Sequence, residues 1–156
     1  MTDKTKSDYH FRVGIRFLAN GELSEAREAF TTSLTLGIHP KALCYRGLAY
    51  FMGKEYDKAL ADYTSAIRLD DPSIPEIYYF RGTLHGLLGN NGEAIQDLTK
   101  AIEFKGEDWL ADAHYYRGAN FGAIGEYDMA IDDMRMAARA GHKLAQEFLR
   151  AKGLKW

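Results

Sequence analysis

The amino-acid sequence predicts an all-α fold, an α-solenoid of four helix-turn-helix repeats closed by a C-terminal capping helix. Three observations carry this expectation. Gly14, Gly47, Gly82 and Gly118 recur at separations of 33, 35 and 36 residues. Twelve positions after each glycine stands an alanine, Ala26, Ala59, Ala94 and Ala130. Beyond each alanine come Phe30, Tyr63, Leu98 and Met134, then the small residues Ser33, Ala66, Ala101 and Ala137. Self-similarity at a period of a few tens of residues marks stacked supersecondary units, none of which buries its apolar face alone.

Taken in order, residues 1–6 are expected to form a flexible N-terminus. The first repeat spans 7–39 and contains "FRVGIRFLANGELSEAREAF", with Asn20-Gly21 as its turn. The second, 40–74, contains "CYRGLAYFMGKEYDKALADY" and turns at Gly53-Lys54. The third, 75–110, contains "YFRGTLHGLLGNNGEAIQDL" and turns at Gly89-Asn90-Asn91-Gly92. The fourth, 111–141, contains "YYRGANFGAIGEYDMAIDDM" and turns at Gly125-Glu126. Gly and Asn punctuate helices in this way because they adopt backbone conformations that end them. Pro40 and Pro75 open the second and third repeats, where a first helical turn has no partner for an N–H. Residues 142–156 close the chain, with Leu144, Phe148 and Leu149 expected on the buried face of a lid.

A glycine inside each first helix costs roughly 1 kcal/mol relative to alanine. The expected return is close approach of the antiparallel partner helix, which carries the spaced alanines. Sixteen residues after Arg46, Arg81 and Arg117 stand Asp62, Asp97 and Asp133, while the first repeat has Val13 and Ala29 instead. Joint loss of both members predicts an ion pair within each later hairpin. The functional alternative is a row of ligand-binding arginines.

The pattern resembles the tetratricopeptide repeat, W-x2-L-G-x2-Y followed by A-x3-F and a small residue. The resemblance covers residues 7 to 141. It departs at the first aromatic slot, which holds His10, Leu43, Tyr78 and His114, and at the Leu slot, which is Arg in three copies. The resemblance implies a concave face lined by the first helix of each repeat. Carried onto this chain, it gives a peptide-binding groove of Phe11, Ile15, Cys44, Tyr45, Leu48, Phe51, Tyr79, Phe80, Thr83, Tyr115 and Tyr116. Rings such as these either pack one repeat on the next or supply rigid contact area to a ligand. The carboxylate clamp of heat-shock co-chaperones is not expected. Its positions hold Phe11, Ile15, Tyr45, Glu76 and Phe80, or in the next register Cys44, Leu48, Phe80, Asp112 and Tyr116, with no cation in either set.

The expected function is therefore that of a non-enzymatic adaptor whose partner is a protein or peptide segment with apolar anchors. The structural alternatives are a self-assembling scaffold, hence a homo-oligomer, or one domain of a larger protein. A net charge of −2 gives no basic excess of the kind nucleic acid selects, and no apolar run is long enough for a bilayer. No metal or cofactor motif stands out. His10, His39, His85, His114 and His142 lack ligand spacing, and His85 and His114 are expected to pack in framework slots. Asp70-Asp71 before Pro72 lacks the rest of a calcium loop. Cys44 cannot form an internal disulfide, which suits a reducing, cytoplasmic setting.

Overall fold

A computed structural model describes residues 2–37, 39–69, 74–105 and 108–156. The Asp70-Asp71-Pro72 connection lies outside them. Among the described residues there are nine α-helices: α1 Asp3–Ala19, α2 Leu23–Leu36, α3 Pro40–Met52, α4 Tyr56–Arg68, α5 Glu76–Leu87, α6 Asn91–Glu103, α7 Leu110–Ala123, α8 Tyr127–Arg139 and α9 Lys143–Ala151. They fall into two compact units, residues 1–77 and 78–156.

In the first unit α1 and α2, then α3 and α4, form antiparallel pairs, and α2 also packs on α3. The core is Ala26, Phe30, Ala42 and Ala49, covered by Phe11, Ile15, Phe17, Leu18, Leu34 and Tyr45. In the second unit α6 packs on α7, α7 pairs with α8, and α9 lies on α8. Its cores are Ala94, Leu98 and Ala113 at one level and Met134, Ala137, Ala138, Ala145 and Leu149 at the next.

Each repeat glycine faces its partner helix at a distance that leaves no room for a methyl group. A Cβ on Gly14 would stand 2.6 Å from the Phe30 ring, and one on Gly47 2.7 Å from that of Tyr63. On Gly82 it would meet Leu98 Cγ at 2.9 Å, and on Gly118 the Ala130 carbonyl oxygen at 3.0 Å. The propensity cost at these positions is thus offset by interhelical contact.

The arginine–aspartate pairs form as two parallel hydrogen bonds. Arg46 Nε and an Arg46 terminal nitrogen each donate to Asp62 at 2.8 Å. Arg81 reaches Asp97 at 2.7 and 2.8 Å, and Arg117 reaches Asp133 at 2.8 Å twice. The remaining terminal nitrogen crosses to the preceding second helix, donating at 3.0 Å to Thr31 from Arg46 and to Thr99 from Arg117. One guanidinium therefore fixes both its own hairpin and the joint behind it. The first hairpin, lacking this pair, is tied by serines: the Ser7 hydroxyl donates to the Ser33 carbonyl and the Ser33 hydroxyl to the Ser7 carbonyl, both at 2.9 Å.

The hairpin turns share one backbone device. The amides of Glu22, Glu55, Asn90 and Glu126 donate at 2.9 Å to the carbonyls of Phe17, Tyr50, His85 and Phe121. The residue before each donor is left-handed: Gly21, Lys54, Gly89 and Gly125. The third turn is shorter than the sequence suggests, because Asn91 and Gly92 already belong to α6.

Two further expectations are corrected. Helix α1 reaches back to Asp3, into the segment expected to be flexible, because the Thr2 hydroxyl caps it by accepting from the Thr5 amide. In α9 the buried stripe is Ala145 and Leu149, both without exposed surface, while Leu144 and Phe148 are 54% and 37% exposed. The stripes lie one residue apart on the same helix, and the one bearing alanine permits the closer approach to α8.

Candidate functional site

The expected groove residues divide between the two units, and each set has its own geometry. In the first unit Phe11 meets Tyr45 edge-on with ring centroids 5.9 Å apart, and both rings lie against Phe30, at 5.9 and 6.4 Å. Ile15 joins the same cluster. Leu48 and Phe51, further along α3, are half-buried, and Phe51 leans on Tyr56 at 5.9 Å. These rings pack repeat on repeat from one face and keep an accessible edge on the other.

Cys44 departs from this pattern. It has no accessible surface, so it offers a peptide nothing to touch. Burial, then the charge of Glu76, pushes its thiol well above the usual range, which suppresses the thiolate. Accordingly, Cys44 in the native protein should resist iodoacetamide and react at the rate of a free thiol once guanidinium unfolds the chain. Equal labelling rates, read by mass spectrometry, would contradict its burial.

In the second unit Tyr79, Phe80, Tyr115 and Tyr116 are all half-buried. Tyr79 lies 5.6 Å from Phe80 and 6.3 Å from Tyr116, whose ring stands edge-on to Tyr115 at 5.4 Å. The Tyr79 hydroxyl donates to Asp112 at 3.4 Å. Burial, followed by the Asp112 charge, raises both the Tyr79 and Tyr116 phenols, so both stay neutral. Thr83 spends its hydroxyl on the Tyr79 carbonyl at 2.7 Å, which leaves its methyl as the outward contact.

His114 is buried in its framework slot, as expected, and it and two other histidines make polar contacts as well. His114 Nδ1 donates to Asp133 at 2.8 Å and so shares that carboxylate with Arg117. His39 and His142 build one device in two places. Each caps the following helix, its Nδ1 accepting from the amide of Ala42 or Ala145. Each ring stacks on an aromatic of the preceding first helix, His39 on Phe11 at 4.5 Å and His142 on Tyr115 at 4.1 Å. Since Nδ1 accepts, Nε2 carries the proton, and it faces Asp8 at 3.4 Å or Asp112 at 3.5 Å. Two of the expected groove rings, Phe11 and Tyr115, are thereby fixed in orientation. Among the described residues no group of three or more His, Cys, Asp or Glu side chains is placed to hold a metal ion. Nor is any helix there long and apolar enough to cross a membrane.

Residues 40–71 and 75–108 each match a family model described as tetratricopeptide repeat. No curated protein matches the chain. Among solved structures, a crystal structure of MamA superposes with a TM-score of 0.78 at 23% identity, covering 90% of this chain and 81% of that one. MamA from Desulfovibrio magneticus RS-1 gives 0.79 at 19% identity, with 96% and 94% covered. YrrB, described as a TPR protein with an unusual peptide-binding site, gives 0.76 at 20% identity, with 95% and 75% covered. These likenesses establish the fold class as an all-α solenoid.

Proposed function

Because this chain is a tetratricopeptide repeat protein, we propose that it is a non-enzymatic adaptor that holds a peptide segment of another protein through apolar anchors. The observation that carries this reading is the set of half-buried rings on α5 and α7, oriented by neighbours yet retaining open edges. Tyrosine suits such a surface, giving large contact area at low conformational cost and a hydroxyl for orientation. The peptide-binding site of the similar YrrB supports the choice of ligand class. The residues proposed form two patches, each within its own unit: Phe11, Ile15, Tyr45, Leu48 and Phe51 in the first, and Tyr79, Phe80, Thr83, Tyr115 and Tyr116 in the second. Cys44, without accessible surface, is left out of the first patch.

Selection from a random peptide library tests this. Wild type should enrich sequences with large apolar residues, and Tyr79→Ala or Leu48→Glu, each with an unchanged helical circular-dichroism spectrum, should lose them by about tenfold, the cost of one good anchor. No enrichment over an unrelated helical protein, or enrichment unaffected by both variants, overturns the reading. A second reading, self-association, draws on Tyr9 and Leu144, which are 57% and 54% exposed. Sedimentation velocity over a wide concentration range decides it.

A further inference from the structure

Between α7, α8 and α9 lies a cavity of about 560 Å³. It falls within the range of small-molecule sites, roughly 300–1,000 Å³. It exists because α7 presents Ala119 where the other repeats carry Ile15, Leu48 and Thr83, beside the bare Gly122, while Tyr115, Tyr127 and Phe148 wall it. The wall carries one charge, Lys152, and its only side-chain N–H and O–H groups are those of Lys152, Tyr115 and Tyr127. All three donate. No carboxylate among the described residues pairs with the Lys152 ammonium. Nor do the last carbonyls of α9 need it: those of Phe148, Arg150 and Leu149 accept from the amides of Lys152, Gly153 and Leu154 at 3.1, 3.0 and 2.9 Å.

An apolar cleft, open to solvent at Tyr127 and Lys152, with one cation at its rim suits an apolar body bearing a negatively charged acceptor. We propose that this cavity binds a free amphiphilic carboxylic acid, its hydrocarbon or aromatic part against Phe148 and the space over Gly122, its carboxylate on Lys152. Charge assistance makes that contact stronger than a neutral hydrogen bond and gives the site its preference for acids over alcohols. Its volume exceeds what one peptide side chain occupies, which favours a free molecule. The cavity shares Tyr115 with the proposed peptide surface, but the rest of its wall, from Gly118 to Gly122 on α7 and from α8 and the lid helix, lies outside it.

Calorimetric titration with phenylbutyrate and with phenylbutanol tests it. Wild type should bind the acid saturably and prefer it to the alcohol by about tenfold. Lys152→Met should erase that preference while leaving the alcohol's affinity within about twofold, because only the charge is removed. Ala119→Leu should abolish binding of both; Ala119 is exposed, so the filled variant keeps its fold, checked by its melting curve. Absence of saturable acid binding overturns the proposal, as does equal affinity for acid and alcohol, or binding indifferent to both substitutions. Tighter binding of a tetrapeptide ending in phenylalanine also overturns it, assigning the cavity to a partner's terminus.

Discussion

Asp133→Ala should lower the melting temperature by about 6–12 °C. Removing one partner of a buried pair costs on the order of 3–5 kcal/mol, and in a chain of this size each kcal/mol moves the midpoint by roughly 2–4 °C. The lower end applies, about 3 kcal/mol, because the Arg117 side chain retains 18% exposure and water can partly recover it. Two donors lose their acceptor at once, Arg117 and His114, and both lie in the hairpin of α7 and α8. The pair Arg117→Met with Asp133→Leu should lose much less than the sum of the single changes, since no buried charge is then left alone. Additive losses would contradict the coupling.

The same carboxylate makes a pH prediction. Burial raises the Asp133 pKa, but hydrogen bonds from Arg117 and His114 outweigh it and leave it below the ordinary aspartate value. A depressed folded-state pKa means stability that is present above the unfolded value, about 3.9, and lost as pH falls from there through the folded one. Asp133→Asn should therefore be less stable near neutrality and flatter in its acid-unfolding profile. An unchanged slope below pH about 4 would remove Asp133 from the acid response.

Gly47→Ala should destabilise by about 1–3 kcal/mol, although alanine is the better helix former by about 1. The added methyl would lie 2.7 Å from a ring carbon of Tyr63 and 3.3 Å from the Ala59 carbonyl. Tyr63 has no exposed surface, so its ring has nowhere to turn. The cause can be isolated. In a Tyr63→Ala background only the milder contact with the Ala59 carbonyl remains, and the same substitution should cost less than about 0.5 kcal/mol or become favourable. Chemical denaturation of the four proteins closes the cycle, and an equal cost in both backgrounds would show that the ring is not what Gly47 accommodates.

These contacts were the legible part of the sequence. The Gly47–Tyr63 and Arg117–Asp133 relations recur at fixed offsets, so each copy testified for the others, and the first repeat's joint change to Val13 and Ala29 reinforced them. What did not recur was hidden. The reciprocal serines Ser7 and Ser33 occur in one repeat only. The histidine caps occur in two places, and their aromatic and acidic companions lie some thirty residues upstream, Asp8 and Phe11 for His39 and Asp112 and Tyr115 for His142. Only the paired order Asp-x2-aromatic and later histidine would have disclosed them. Cys44 was misplaced for a different reason. A groove position carried over from a family describes where larger side chains point, and a small thiol at that position sinks beneath its neighbours.

The histidine caps also bear on how this chain can be lengthened. His142 begins α9 as His39 begins α3, so the lid is laid down as the opening helix of a further repeat. The receptor for that opening, Asp112 with Tyr115, lies at the start of the preceding repeat. A tandem duplication of residues 111–142 would thus carry both halves of the joint in phase. Each new copy would start behind a capping histidine and offer the next one its stacking ring and its acid. Growth by whole repeats is built into the last joint, with the same lid serving every length.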